Sequence, residues 1–274
     1  MRAADATRTP WLRTFRPLGA EAPTLVLFPH AGGSAGFYRG LADRFGSDVD
    51  VRAVQYPGRE ARAGEELVDD MEVLADRAAE ALLPLAGRRL AILGHSMGAL
   101  VAYEVTRRLE AEGVPVERLF ASARHPPHLP GPGDDHPHGP DDDHRHSADD
   151  DHRLRHLLDD DAFAEMLRDT GGTPATLLDE PEMRDYLLPI VRNDYRLVET
   201  YEPSDGPALR TGVVSIAAEG DGTVTAAQVE GWRRTTAGSF EHLTFPGGHF
   251  YLLERPDALA SAVLTRLGWD AAAR

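Results

Sequence analysis

A serine set between two glycines is the residue of this chain whose surroundings most favour chemistry. The pentapeptide Gly94-His95-Ser96-Met97-Gly98 follows the apolar run 90–93 and precedes a stretch with helical spacing of apolar residues. A G-x-S-x-G sequence that ends a strand and opens a helix is typical of a nucleophile elbow, where the serine hydroxyl stands exposed at the end of the strand. A chance Gly-Ser turn is the alternative, but the strand before and the helix after favour Ser96 as a nucleophile.

A nucleophilic serine needs a base, because its hydroxyl is too weakly acidic to attack at neutral pH unaided. The chain has 12 histidines. His249 is the last of them and follows the strand-like segment 240–245 in the sequence Pro-Gly-Gly-His-Phe. Paired glycines suit a loop that projects an imidazole across the top of a sheet, so His249 is our predicted base. The alternatives are that His249 is an exposed loop residue, or that His242 is the base.

The imidazole in turn needs a carboxylate that holds its tautomer. In this class of site the partners follow in the order serine, acid, histidine. The segment 213–218 is predicted to be a strand, and the loop after it reads Glu219-Gly220-Asp221-Gly222. Asp221 is our predicted acid, with Glu219 as the alternative. Asp221 could instead cap a helix that begins near Thr225.

Two backbone N–H groups should bind the negative charge that develops on the substrate oxygen. One is the N–H of Met97, directly after the nucleophile. The other should come from the loop after an early strand, and the loop 29–34 after the predicted strand 24–28 offers the N–H of Ala31. A phosphate-binding function for this glycine-rich loop is excluded, because the sequence contains neither G-x-G-x-x-G nor a Walker lysine.

Six segments of the chain together carry a resemblance to a known family. They are Phe-Pro-His-Ala-Gly-Gly (28–33), Gln-Tyr-Pro-Gly-Arg-Glu (55–60), the elbow (94–98), Gly-Gly-Thr-Pro (171–174), Leu-Pro-Ile-Val-Arg-Asn-Asp-Tyr (188–195) and Pro-Gly-Gly-His-Phe (246–250). In this order they resemble the type II, or external, thioesterases of polyketide synthases and nonribosomal peptide synthetases. The resemblance extends over residues 24–267. It implies an α/β-hydrolase that cleaves acyl groups from the phosphopantetheine arm of acyl or peptidyl carrier proteins, editing misprimed or stalled units.

The resemblance also implies a role for each site residue. The catalytic triad would be Ser96, Asp221 and His249, and the oxyanion donors would be Ala31 and Met97, with no cofactor and no metal. Two other functions compete with the thioesterase: a general serine esterase or lipase acting on soluble esters, and a catalytically idle module that binds acylated carrier proteins. The intact set of three residues argues against the idle module.

Alternating strand and helix signals predict a mostly parallel sheet flanked by helices, as one domain over residues 1–274. The predicted strands are 24–28, 50–55, 89–93, 118–123, 212–218 and 240–245, and the predicted core helices are 65–83, 97–112, 225–236 and 256–267. Residues 18–124 and 208–270 would form the core, and 125–207 a lid insertion with helices near 152–168 and 181–201. Apolar residues of the insertion are expected either to line an acyl channel or only to pack the lid on the core: Phe163, Met166, Leu167, Leu187 and Leu188.

Composition narrows the function classes. The chain has 274 residues, no cysteine and a net charge of −16. These values exclude thiol catalysis and argue against nucleic acid as a partner. No apolar run is long enough for a membrane span, and the N-terminal residues lack the apolar core of a signal peptide. We therefore expect a cytoplasmic protein with no membrane association, and a monomer.

The insertion contains a segment of unusual composition. Residues 131–161 hold 11 Asp, six His and three Arg, so we expect the acidic, His-rich part, 131–151, to be disordered. Its histidines at 136, 138, 144 and 146 could bind a metal adventitiously, but we expect no functional metal site. The negative charge should repel acidic carrier proteins. Docking would then need an arginine patch, for which Arg39, Arg59 and Arg62 are the candidates.

Overall fold

The computed structural model of the protein describes residues 9–128 and 154–269. The predictions for the acidic segment 131–151 and its four histidines lie outside the described residues. No described helix is both long and apolar enough to cross a membrane.

A seven-stranded sheet forms the centre of the molecule, in the order β1-β3-β2-β4-β5-β6-β7. Its strands are β1 (Leu12–Thr14), β2 (Thr24–Phe28), β3 (Asp50–Val54), β4 (Leu90–His95), β5 (Arg118–Ser122), β6 (Gly212–Ala218) and β7 (Phe240–Phe245). β1 pairs antiparallel with β3, and every other pairing is parallel. The carboxyl ends of β2 to β7 therefore meet along one edge of the sheet, where ligands bind in open α/β sheets.

Helices cover both faces of the sheet. They are α1 (Arg39–Ala42), α2 (Met71–Leu82), α3 (Met97–Ala111), α4 (Asp160–Thr170), α5 (Ala175–Asp179), α6 (Pro181–Glu199), α7 (Ala226–Glu230), α8 (Tyr251–Glu254) and α9 (Pro256–Leu267). Strand residues alternate between two buried clusters: Val26 and Phe28 pack with α2 and α3 on one face, whereas Leu25 and Leu27 pack with α1 and α9 on the other. Because both faces are covered, the central strands are almost continuously apolar. The α/β-hydrolase prediction is confirmed.

The helical insertion, α4 to α6, enters the chain between β5 and β6, as predicted. It has an apolar cluster of its own, formed by Phe163, Leu167, Leu178, Leu188 and Val191 with smaller contributions from their neighbours. Three of the five candidate channel residues are thus buried inside the insertion, and Met166 packs against them. These four residues pack within the insertion itself and not in the two clusters that flank the sheet. A channel role stays a prediction for Leu187.

Several elements differ from the predictions. The helix predicted near 152–168 begins only at Asp160, where the side chain of Asp159 caps it. Strand β1 was not predicted, and it forms the edge of the sheet beside β3. The helix predicted over 65–83 begins only at Met71, because the side chain of Asp70 caps it by accepting the N–H of Val73 at 2.9 Å. The helix predicted over 225–236 is α-helical only to Glu230 and continues as a 3-10 turn over Gly231–Thr235.

Candidate active site

Ser96 stands in a strained turn between β4 and α3. Its backbone has φ 54° and ψ −122°, a conformation that non-glycine residues adopt only where the surroundings enforce it. A methyl group at Gly94 would collide with the backbone of Gly98, and one at Gly98 would collide with the carbonyl of Phe28. Both glycines of the motif are therefore required for close packing of strand and helix. The Ser96 side chain is left half-buried at the edge of the sheet.

His249 and Asp221 come together at the same edge. The Nδ1 atom of His249 lies 2.9 Å from Oδ2 of Asp221. The imidazole is 7% exposed and the carboxylate 0% exposed, so bulk water does not compete strongly for this hydrogen bond. Asp221 follows β6 and His249 follows β7, which are neighbours in the sheet. The structure thus pairs the predicted base with the predicted acid.

Thr223 is a third member of this network, which sequence reasoning missed. Its backbone N–H and its hydroxyl both donate to Oδ1 of Asp221, at 2.8 and 2.7 Å. Its Oγ1 also lies 2.9 Å from Nδ1 of His249. The one sequence signal was the Asp-x-Thr spacing, in which the carboxylate accepts the N–H two residues on.

Protonation of the acid follows from these contacts. Burial of the Asp221 carboxyl opposes its ionised form, but the hydrogen bond and charge of His249 and the two donors of Thr223 outweigh it. Together they hold the pKa of Asp221 below its usual range. The carboxylate is therefore ionised at neutral pH, in the state that stabilises an imidazolium.

The alternatives to this pair are placed elsewhere. Glu219 is exposed. Thr225 caps α7 with its own side chain, which accepts the N–H of Gln228, so Asp221 is not needed as the cap. His242 lies 2.8 Å from the hydroxyl of Ser215, through its Nδ1 atom. Neither of these two contacts involves the His249 imidazole.

The predicted oxyanion donors lie beside the elbow. Strands β2 and β4 are paired with Phe28 opposite Gly94, so the loop 29–34 and the elbow leave the sheet side by side. Met97 is the first residue of α3, whose N–H has no partner within the helix, and Ala31 is half-buried in the loop. For neither N–H is a hydrogen-bond acceptor found among residues 9–128 and 154–269.

A cluster of rings surrounds the base. The ring of Phe250 lies 4.8, 5.5 and 5.0 Å from the rings of His30, His95 and His249. The ring of His95, the residue before the nucleophile, is 5.1 Å from that of His249, which places the elbow next to the base. Burial lowers the pKa of His30 to about 3 and holds that of His95 well below its usual range. Both neighbours therefore stay neutral and add no positive charge beside the base.

The arginine patch predicted for docking is wrong for two of its three members. Arg59 and Arg62 are only 5% and 6% exposed. Arg59 pairs with Asp194, and Arg62 pairs with Glu65. Only Arg39 is exposed, because the segment 55–62 folds inward against the loop 29–34.

Within the described part of the chain, no group of three or more His, Cys, Asp or Glu residues is arranged to hold a metal ion. The chemistry that the described residues offer is that of a serine, a histidine and a carboxylate beside two backbone donors.

Comparison with known proteins agrees with this chemistry. The thioesterase-domain family model matches residues 23–267. The thioesterase PikA5 of Streptomyces venezuelae is 37% identical over 244 residues, which are 88% of this chain and 80% of PikA5.

Two solved structures are similar over nearly the whole chain. The type II thioesterase BorB from the borrelidin biosynthetic cluster has a TM-score of 0.79 and 36% identity, covering 94% of this chain and 97% of BorB. The thioesterase RedJ of the prodiginine pathway in Streptomyces coelicolor has a TM-score of 0.77 and 37% identity, covering 90% and 91%. The chain therefore belongs to the thioesterase family, as a serine-dependent type II thioesterase of the kind associated with polyketide synthases and nonribosomal peptide synthetases.

Proposed function

We propose that Ser96, His249 and Asp221 hydrolyse acyl groups from the phosphopantetheine arm of acyl or peptidyl carrier proteins, and that this removes misprimed or stalled units from a synthase. The observation that carries the proposal is the 2.9 Å hydrogen bond between His249 and the buried Asp221 carboxylate, at the sheet edge where the elbow presents Ser96. The family membership supports a thioester as the substrate.

In the first half of the reaction, the Ser96 hydroxyl attacks the thioester carbonyl and transfers its proton to Nε2 of His249. Asp221 accepts the Nδ1–H, which fixes the reactive tautomer and stabilises the imidazolium that forms. The N–H groups of Ala31 and Met97 donate to the oxygen that becomes negative. The carbon–sulfur bond then breaks, and the pantetheine sulfur leaves with the proton from His249.

In the second half, His249 takes a proton from water as the water attacks the acyl-serine ester. The same two N–H groups stabilise the second tetrahedral intermediate. Return of the proton to Ser96 releases the acid and regenerates the enzyme. One base serves both halves because it gives up in each half the proton that it accepted.

The helical insertion acts as a lid in this proposal. Its Gly171-Gly172 turn lies against the ring of Phe250, and a methyl group at Gly172 would collide with that ring. Phe250 follows His249 directly, so the insertion covers the base from above. Such a cover would keep bulk water from the acyl-enzyme until the carrier protein departs.

The alternative is an esterase that acts on soluble oxygen esters with the same residues. A carrier-protein substrate is favoured by the similarity to BorB and RedJ over nine-tenths of the chain or more. We also propose that the protein is a monomer and that it is located in the cytoplasm together with its carrier proteins. Size-exclusion chromatography with light scattering and cell fractionation test these two points.

Matched substrates separate the two functions. kcat/KM should be measured for a propionyl carrier protein, for propionyl-N-acetylcysteamine and for the oxygen ester with the same acyl group. We expect the carrier protein to be the best of the three substrates and the oxygen ester the poorest. Equal or faster hydrolysis of the oxygen ester would support the general esterase instead.

A further inference from the structure

A carboxylate from the insertion reaches the loop that presents Ala31. Asp194, on α6, accepts the backbone N–H of Gly32 through Oδ2 at 2.7 Å. The two residues are 162 positions apart in the chain, and the Asp194 side chain is 4% exposed. The peptide that Asp194 holds is the one directly after Ala31, whose own N–H is the proposed oxyanion donor.

Arg59 ties the same carboxylate to the next residue of the loop. Its two terminal nitrogens contact Asp194 at 2.6 and 2.9 Å, and one of them also donates to the carbonyl of Gly33 at 3.1 Å. The loop is thus held through the Gly32 N–H by Asp194 and through the Gly33 carbonyl by Arg59. Burial disfavours the Arg59 cation, but the charge and hydrogen bonds of Asp194 outweigh it and raise the pKa of Arg59, so Arg59 stays charged.

Helix α6 also fixes the loop by shape. Gly32 has φ +74°, and a methyl group there would lie 2.7 Å from Cγ2 of Val191, one helical turn before Asp194. The backbone of the loop therefore lies directly against the helix. A shift of α6 would move the peptide after Ala31 or break its hydrogen bond.

A contribution to the stability of the fold does not by itself explain the buried ion pair of Asp194 and Arg59. A buried ion pair contributes little net stability, because desolvation of the two charges offsets their attraction, and apolar residues of the same size often do as well. A carboxylate near the oxyanion would also oppose its negative charge, unless a cation neutralised it. Arg59 supplies that cation, so the pair holds the loop without a net charge at the site.

We propose that Asp194, with Arg59 as its counter-ion, is a positioning residue that sets the orientation of the Ala31 N–H and makes the oxyanion hole depend on the docking of α6. The inference rests on the proposed function, since it assumes that Ala31 donates to the transition state. It predicts that loss of the pair weakens transition-state binding more than substrate binding.

The first variant is Asp194→Asn, which keeps the shape but removes the charge that holds Arg59. We expect kcat for propionyl-N-acetylcysteamine to fall roughly 10- to 100-fold, because small misplacements of catalytic groups cost up to about that factor. KM should change less than about threefold. The inhibition constant of a propyl trifluoromethyl ketone, whose adduct with Ser96 carries an oxyanion, should rise by the same factor as kcat falls.

A second variant tests whether the loss of activity could come from misfolding. The double substitution Arg59→Met with Asp194→Leu removes both charges at similar volume, and such replacements are usually neutral or stabilising. It should still fold, with a Tm somewhat below that of the wild type because the Gly32 N–H and the Gly33 carbonyl lose these partners, and it should show the loss of kcat and of ketone affinity. If this folded variant keeps both values within about twofold of the wild type, the proposal is wrong.

The matched control is Asn193→Ala on the same helix. Asn193 donates to the carbonyl of Val68 at 2.9 Å, so it helps to dock α6 without reaching the loop 29–34. We expect this variant to lose stability but to keep its kcat and ketone affinity. Equal losses of kcat and of ketone affinity in Asn193→Ala and in Asp194→Asn would show that Asp194 only helps to dock α6. This result would overturn the proposal. If the wild type and the control both failed to hydrolyse the thioester, the proposed function would fall instead.

Discussion

The Nδ1 atom of His249 lies 2.9 Å from Oδ2 of Asp221, although the two residues belong to loops that follow different strands and are 28 positions apart. The parallel pairing of β6 with β7 brings the two loops together, since Ala218 stands opposite Phe245 at their carboxyl ends. The pairing of β6 with β7 therefore makes this hydrogen bond possible, and the chemistry of the site depends on the hydrogen bond.

Substitution of the acid tests this relationship. Asp221→Asn should reduce kcat by roughly 10⁴, because an amide does not hold the reactive tautomer or stabilise the imidazolium. Glu219→Gln, two residues away on an exposed side chain, is the matched control and should stay close to the wild type. Steady-state kinetics on a soluble acyl thioester measures both variants. The reverse order of effects would transfer the role of acid to Glu219.

Thr223→Val should produce a smaller loss. Valine keeps the shape but removes the hydroxyl that donates to Asp221 at 2.7 Å and contacts His249. We expect kcat to fall roughly tenfold, which corresponds to about 1.4 kcal/mol, the scale of one hydrogen bond to a charged group.

The control for this prediction is Thr225→Val, which removes the cap of α7. It should cost about 1 kcal/mol of stability and leave kcat unchanged. An unchanged kcat in Thr223→Val would mean that Asp221 alone orients the base.

The buried His30 should make stability depend on pH. Burial lowers its pKa to about 3 in the folded protein, whereas the unfolded chain titrates near its ordinary value of about 6.5. Between these values the unfolded state binds one more proton. Stability due to this residue is therefore complete above about pH 6.5 and is lost as the pH falls toward 3, at about 1.4 kcal/mol per pH unit.

His30→Asn removes this titration and keeps an oxygen that can pair with the hydroxyl of Tyr38, which lies 3.0 Å from Nδ1 of His30. Urea unfolding between pH 6 and 4 should show a slope of stability against pH that is shallower by about 1.4 kcal/mol per unit. Equal slopes in the two proteins would contradict a neutral, buried His30.

Local patterns predicted much of the fold. The strand before Ser96 and the helix after it follow from an apolar run and a G-x-S-x-G turn, and β4 and α3 are found there. The three-residue strand β1 was missed because so short a segment carries no periodicity, and its place depends on pairing with β3, about 40 residues later. The start of α2 was misplaced because the capping role of Asp70 was not recognised.

The residues that hold the site in position were harder to predict from the sequence than the reactive residues. His249 and Asp221 carry local signals: each stands among glycines in a loop after a strand. Asp194 and Arg59 are 135 positions apart, and their contact exists only because the insertion folds back over the loop 29–34. Arg59 was interpreted as a surface residue, since an arginine is seldom fully buried unless paired, and no local pattern reveals its partner.

The central claim is that Ser96 attacks the thioester of an acyl carrier protein. Intact-mass measurement of a propionyl carrier protein, before and after incubation with the wild type or with Ser96→Ala, tests it most directly. The wild type should convert the protein to its free-thiol form, with the loss of one acyl mass. Ser96→Ala should fold normally and leave the acyl group in place, since loss of a triad residue typically costs about 10⁶ in turnover. Deacylation by the folded Ser96→Ala variant at the wild-type rate would contradict the account.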